Sequence, residues 1–400
     1  MATSNCTSNQ LRTTNLQRLR KYETMLNLDF TEEQNMLRDM VRGMCEQHAN
    51  LEVVRAMEDD PVGYPTAMWS QLAELGILGM TIPEEHGGSG MTMQEGVIVY
   101  EELGRALAPL PHLVSCVASA GAILAGGSQE QIEHWVPRLA SGEVIVTPAW
   151  LEPNNSHAAQ GVQMRAVADG DRFVLNGTKL QVYFASAAQR LIVVARMGDD
   201  ANEVDLFLVD PHASGVTLTQ KMSISSDTQY RVDFNDVSVD ASDRLGAAGS
   251  GWATWQHVMN DVMILQAAYA NGGDEHALEI TVQYSKDREQ FDKPLGAFQA
   301  LSHYMADAKT AIDGSKMLNY EAAWAHSLGR PVTKLAAMSK LFACNTYRDT
   351  TAMAQQIFGG VGFTLEYEIQ LYFRRAKQQQ ISWNDTRRCE DLIAAEVLDS

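Results

Sequence analysis

The sequence predicts an α+β chain in three parts: a helical N-terminal domain, a small central β domain and a C-terminal four-helix bundle. Three observations predict it. Apolar residues recur at helical spacing from Thr31 to about residue 141. Short apolar runs between turn residues replace them from Gly142, and helical spacing returns at Gly251 and persists. The parts read as a flexible extension over 1–27, the helical domain over 28–141, the β domain over 142–245 and the bundle over 246–400.

Each element has a local cause. Thr31, followed by Glu32 and Glu33, is a helix N-cap with acidic residues in the first turn. Met36, Met40, Val41 and Met44 then mark one face of that helix, and further helices read over 68–75, 93–106, 113–124 and 129–139. In the β domain, residues 172–175 and 180–183 flank Asn176-Gly177, the dipeptide of a two-residue hairpin turn. Strands also read over 190–196, 204–210, 215–219 and 230–239. Beyond Gly251, Leu301, Tyr304, Met305, Ala308 and Ile312 form an apolar stripe, and residues 323–358 read as helix interrupted at Gly329-Arg330-Pro331.

Composition narrows the function classes. A formal net charge of −19 argues against a nucleic-acid partner, which needs clustered Lys and Arg, but not against a phosphorylated ligand held by a local Arg. The five cysteines are scattered, with no Cys-x-x-Cys pair or Cys/His cluster, so neither a disulfide framework nor a metal site is expected. No apolar run approaches the roughly 18 residues that a membrane span needs. The N-terminus lacks the apolar stretch of a secretory signal, and a cytoplasmic protein with no membrane partner is the expectation.

Two stretches carry cofactor chemistry. Residues 288–299 open with Arg288, whose planar guanidinium suits a phosphate, and continue through Gln290 and Phe291 to Gln299. Phe291 is a ring able to stack on a base. Downstream, Gln356 precedes Gly359-Gly360, where the missing Cβ lets a ligand approach the backbone. The bland readings are a surface contact of Arg288 with Tyr284 or Asp292 and a helix C-cap for the glycine pair.

The wording and order of these stretches resemble the acyl-CoA dehydrogenase family over residues 28–400. Shorter stretches agree in order: 83–90, 100–105, Leu151-Glu152-Pro153, 175–179 and 372–377. The resemblance implies FAD as cofactor and an acyl-CoA thioester as substrate, oxidised to a 2,3-enoyl thioester. It implies an electron-transfer flavoprotein or oxygen as acceptor. Because the family shares FAD between subunits, it also implies a homo-oligomer or a heteromer with a related chain. Arg288, Gln290, Phe291, Gln299, Gln356, Gly359 and Gly360 would meet the ADP half of FAD, and Leu151, Ser156 and Tyr183 its ring side.

The chain departs from that pattern at the reacting centre. The family's Thr becomes Leu151, two loop glycines become Asn154 and Ser156, and its Trp and Ser/Thr become Gln181 and Tyr183. The two positions where the family places its catalytic Glu fall on Trp383 and Val262. The nearest acids are Asp385 and Asp261, which become the candidate bases; Asp385 also reads as the N-cap of a last helix over 386–398. Two further readings stay open: a flavin-dependent oxidase or monooxygenase on the same fold, and a non-catalytic subunit completing another chain's FAD site.

Overall fold

The computed structural model describes residues 28–153, 157–200 and 203–398. The N-terminal extension and Ser156 of the flavin-loop expectation lie outside the described residues.

Helices α1 (Glu32–His48), α2 (Leu51–Ala56), α3 (Thr66–Glu74), α4 (Met93–Arg105), α5 (Ala120–Gly126) and α6 (Gln129–Ala140) build the first part. Capping boxes start α1, α4 and α6, with Thr31, Thr92 and Ser128 each satisfying an otherwise free N–H. The predicted helix over 113–124 is instead a π-helical segment, Leu113–Ser119, that runs into α5. Every side chain of that segment is buried.

Eight strands form one sheet in the order β6-β7-β3-β2-β4-β5-β8, with β1 (Val146–Ala149) parallel to β4 (Arg190–Arg196). The others are β2 (Arg165–Asp169), β3 (Arg172–Tyr183), β5 (Val204–Val209), β6 (Val216–Lys221), β7 (Gln229–Asp240) and β8 (Arg244–Leu245). Asn176-Gly177 is not a hairpin turn. β3 runs straight through it with a register irregularity, and the tight turn falls at Gly170 (φ 64°), between β2 and β3. Asn176 is held in the strand because its side chain bonds both the backbone N–H and the carboxylate of Asp236 on the neighbouring β7.

Three long helices, α7 (Gly251–Asp287), α8 (Gln299–Ser327) and α9 (Thr333–Phe358), with α10 (Ile369–Ile381) and α11 (Thr386–Leu398), complete the chain. Met305, Ala308 and Ile312 of the predicted stripe are buried, whereas Tyr304 is 55% exposed. A small hairpin, β9 (Glu289–Gln290) and β10 (Lys293–Pro294), links α7 to α8.

One crossing sets the geometry of everything that follows. A Cβ on Gly104 of α4 would lie 1.9 Å from the Tyr269 carbonyl, and one on Gly272 of α7 would lie 1.8 Å from the Glu101 carbonyl. The two glycines therefore let α4 and α7 touch backbone to backbone. That contact fixes the N-terminal part on the bundle beside the sheet end carrying Tyr183. Tyr320 of α8 donates to buried Glu101 at 2.7 Å across the same junction. The four described cysteines are free and buried, and no group of residues fit to hold a metal occurs among the described residues. No described helix is long and apolar enough to cross a membrane.

Candidate active site and cofactor face

A cavity of ≈ 80 Å³ opens where α4, the Ala108–Val114 segment, α7, α10 and the end of β3 meet. Leu103, Leu110, Leu113, Val114 and Phe184 make most of its wall apolar, and Trp383 and Tyr183 also line it. Arg375, Gln379, Gln266, Tyr269 and Asp227 add polar groups.

Trp383 owes its position to the break between α10 and α11. The last carbonyls of α10 are met by Ser382, whose N–H and hydroxyl both donate to Gln378 O. Trp383 (φ 54°) and Asn384 (φ 71°) then both adopt left-handed backbone, which turns the chain sharply into α11. The indole is 4% exposed. It stacks on Tyr183 with centroids 6.0 Å apart and planes at 16°, and on Trp150 at 6.2 Å and 25°. Trp255 borders it at 6.5 Å. The Tyr183 hydroxyl lies 3.0 Å from Ser382 Oγ and receives Gln378 Nε2 at 2.8 Å. Burial pushes that phenol far above its ordinary range, so it stays neutral.

His112 and Tyr100 also line the cavity; His112 lies 2.7 Å (Nδ1) from the Tyr100 hydroxyl and 3.1 Å (Nε2) from the Ile77 carbonyl. Burial lowers its imidazole from 6.5 to about 4. Both ring nitrogens are engaged within the fold, and the lowered value favours the neutral imidazole. Leu151 pairs with Leu180 of β3, and the adjoining Glu152 accepts from Lys179 Nζ at 2.6 Å and from the N–H groups of Gln163 and Met164. This buried ion pair pins the Leu151 segment to the sheet.

Neither nominated base reaches the cavity. Asp385 accepts the Arg388 N–H at 2.8 Å and so caps α11, the bland reading of that residue. Asp261 faces the other way along α7 and pairs with His326 of α8 at 2.8 Å. Val262 is fully buried, and Trp383 carries no ionisable group. The carboxylate that does line the cavity is Asp227, on the loop before β7, which sequence reading missed. Arg375, Gln379 and Ser382 were also missed, although their i, i+4, i+7 spacing marks one helical face.

The residues expected to meet an ADP group lie apart from the cavity, on an exposed end of the bundle. Tyr284 stacks on Phe358 at 4.1 Å and 16°, which ties the end of α7 to the end of α9 and brings Arg288 and Gly359 to the same end. Phe291 (φ 54°) and Asp292 (φ 60°) form the two-residue turn of the β9–β10 hairpin, a type I′ shape that favours Asn and Gly. The chain therefore holds an aromatic ring, 85% exposed, at a backbone position unfavourable to it. Arg288, Gln290, Gln299 and Gln356 are exposed as well. Arg288 forms no side-chain hydrogen bond or ion pair among the described residues. A Cβ on Gly359 or Gly360 would meet nothing within 4 Å, so the glycine pair presents bare backbone to the outside.

Comparison with known proteins agrees with this geometry. The acyl-CoA dehydrogenase N-terminal, middle and C-terminal domain models match residues 31–143, 148–237 and 249–383. A curated Bacillus subtilis (strain 168) protein named "Probable acyl-CoA dehydrogenase YngJ" is 32% identical over 382 residues, 93% of this chain and 100% of its own. The chain belongs to the acyl-CoA dehydrogenase family. Butyryl-CoA dehydrogenase from Megasphaera elsdenii has the same fold, with a TM-score of 0.85 and 28% identity over 93% of this chain and all of that one. A chain of the ChsE4-ChsE5 complex from Mycobacterium tuberculosis matches with a TM-score of 0.84 and 26% identity, covering 94% of this chain and 100% of that one.

An acyl-CoA dehydrogenase family member is expected to hold FAD, and the residues present fit its two halves differently. Arg288, Phe291 and the bare Gly359-Gly360 backbone fit a diphosphate and a base brought by a neighbouring molecule. At the ring side, Tyr183 and Trp383 stand at direct aromatic contact. A flat ring between them needs about 7 Å, two stacking intervals of roughly 3.5 Å at van der Waals contact. Access to that face of Tyr183 therefore requires Trp383 to turn aside.

Proposed function

We propose that this chain is a subunit of a flavin-dependent acyl-CoA dehydrogenase. It shares FAD with a neighbouring subunit and admits the acyl group of a thioester to the Trp383 cavity, where a 2,3-enoyl thioester forms. The observation that carries this reading is the exposed set of Arg288, Phe291, Gly359 and Gly360. A guanidinium with no partner among the described residues, an 85% exposed ring on a left-handed turn and a glycine pair with open space outside it share one end of the bundle, although Gly359 also caps α9 and Phe291 meets Phe298 edge-on.

When bound, FAD supplies the acceptor for the hydride leaving the β-carbon. The remaining tasks fall to the protein. Leu103, Leu113, Val114 and Phe184 exclude water from the acyl chain. The α-proton needs a base within hydrogen-bond reach, and Asp227 is the carboxylate among the described residues lining the cavity. Its Oδ1 accepts from Ser225 Oγ at 2.7 Å and Gln229 Nε2 at 2.9 Å, and from Ser223, which fixes the carboxylate's orientation.

The visible spectrum of the purified chain tests the proposal. A flavin band that bleaches anaerobically with an acyl-CoA, and no longer bleaches in Asp227→Asn, supports it. The contact of Trp383 with Tyr183 favours a second reading, a non-catalytic subunit that completes the FAD site of a related chain. Colourless protein that takes up flavin only when mixed with such a chain, and never bleaches on its own, selects that reading instead.

A further inference from the structure

The cavity is not built for a purely hydrocarbon tail. Two helices each turn a pair of polar residues into it: Gln266 and Tyr269 from α7, Arg375 and Gln379 from α10. Gln266 and Gln379 are more than nine-tenths buried, yet the Oε1 of each has no hydrogen-bond partner. Arg375 donates to the Tyr269 hydroxyl at 3.2 Å, and no carboxylate of a described residue lies within 4.0 Å of its guanidinium. The cavity's other charge, Asp227, has its Oδ1 taken up by Ser223, Ser225 and Gln229 of its own loop. The guanidinium is half-buried with N–H donors to spare, and it stands beside two buried amides whose oxygens lack a partner, a set that a ligand entering the cavity can complete.

We propose that Arg375, flanked by Gln266, Tyr269 and Gln379, binds a carboxylate at the far end of the acyl group, so that the preferred substrates are thioesters of dicarboxylic acids. The inference rests on the reading of the cavity as an acyl-thioester site. A planar carboxylate matches the guanidinium fork in two parallel hydrogen bonds, and either amide can turn its NH₂ toward the same oxygens. Arg375 lies six residues, about 9 Å at 1.5 Å per residue, before Ile381 at the end of α10, and Trp383 follows two residues beyond that end. The thioester and the carboxylate are then held at opposite ends of one chain.

The test is binding to the full-length chain, read by quenching of tryptophan fluorescence, because Trp383 lines the cavity. Dicarboxylyl-CoA thioesters of five to eight carbons are compared with their monocarboxylyl counterparts of equal length and with ω-hydroxyacyl-CoA. The expected result is a Kd for the best dicarboxylyl-CoA on the order of 10- to 100-fold below its monocarboxylyl counterpart. Arg375→Met abolishes that preference, so that dicarboxylyl and monocarboxylyl thioesters bind with equal affinity, and Arg375→Lys retains part of it. Gln379→Leu, which leaves the charge in place, weakens the preference severalfold and guards against misfolding of the Arg375 variants. Equal affinity for both series, a preference that survives Arg375→Met, or tightest binding of the hydroxyacyl thioesters overturns the proposal while leaving acyl-thioester binding intact. Failure to bind any of the thioesters overturns both.

Discussion

Trp383 lies face to face with Tyr183, with ring centroids 6.0 Å apart and planes inclined by 16°. The indole stands where the family resemblance leads one to expect a carboxylate, and the phenol where it leads one to expect a small hydroxyl. Both rings line the cavity, and their contact leaves no room for a flat ring between them.

Trp383→Ala removes the larger ring and, with it, that contact. The loss of a buried aromatic costs about 3–5 kcal/mol of stability. Flavin content per chain, read from the ratio of visible to ultraviolet absorbance, is expected to rise in the variant because Tyr183 is uncovered. Unchanged or lower flavin content at a temperature where the variant is folded excludes Trp383 as the gate.

Arg288→Met tests the outer face. The side chain is exposed and without a partner among the described residues, so the melting temperature is expected to stay within about 1–2 °C of the parent, as for surface substitutions of ±0.5 kcal/mol. FAD retention through gel filtration is expected to fall, with Kd for FAD rising at least about tenfold for a lost charge-assisted phosphate contact. Full retention of FAD in Arg288→Met removes Arg288 from the cofactor site.

Asp385 separates a capping role from a catalytic one. Asp385→Ala is expected to lower stability by about 1 kcal/mol, whereas Asp385→Asn, which still caps, is close to neutral. Turnover with acyl-CoA is expected to survive in Asp385→Asn. Loss of turnover in a stable Asp385→Asn protein would reinstate Asp385 as the base.

His112 makes stability depend on acid. Its folded-state value, about 4, lies below the ordinary 6.5, so between these limits the unfolded chain binds the proton and the folded chain does not. Stability from this group is complete above pH 6.5 and falls as pH drops toward 4. The slope is about 1.4 kcal/mol per pH unit within that window. Urea midpoints measured at pH 7 and pH 5 are expected to differ less in His112→Gln than in the parent, and an equal difference in both contradicts the assignment.

Much of the fold was legible because periodicity changes are large-scale signals. The switch at Gly142 and the return at Gly251 each involve many residues, so single exceptions do not hide them. Local turn chemistry proved weaker evidence. Asn176-Gly177 has the composition of a hairpin turn, but pairing with Asp236 on β7 holds it in a strand, and that partner is sixty residues away. Arg288, Phe291 and Gly359-Gly360 stand out in the sequence because each belongs to a contiguous stretch, and the structure adds that all of them are exposed. The cavity was not. Asp227, Gln266 and Arg375 come from three separate elements, and nothing in their immediate neighbours shows that they converge. Asp385 and Asp261 were nominated for closeness in sequence to Trp383 and Val262, but a cap and an ion pair with His326 claim them.

The type I′ turn that carries Phe291 on the outside has a consequence for how the protein behaves in solution. A site whose cavity belongs to one chain and whose nucleotide face belongs to another is a property of concentration as well as of sequence. Dilution that separates the subunits removes, on the proposed reading, half of each cofactor site at the same moment, and added FAD draws them back together by mass action. On the proposed reading, specific activity then varies with protein concentration, and cofactor and neighbouring subunit each report on the binding of the other.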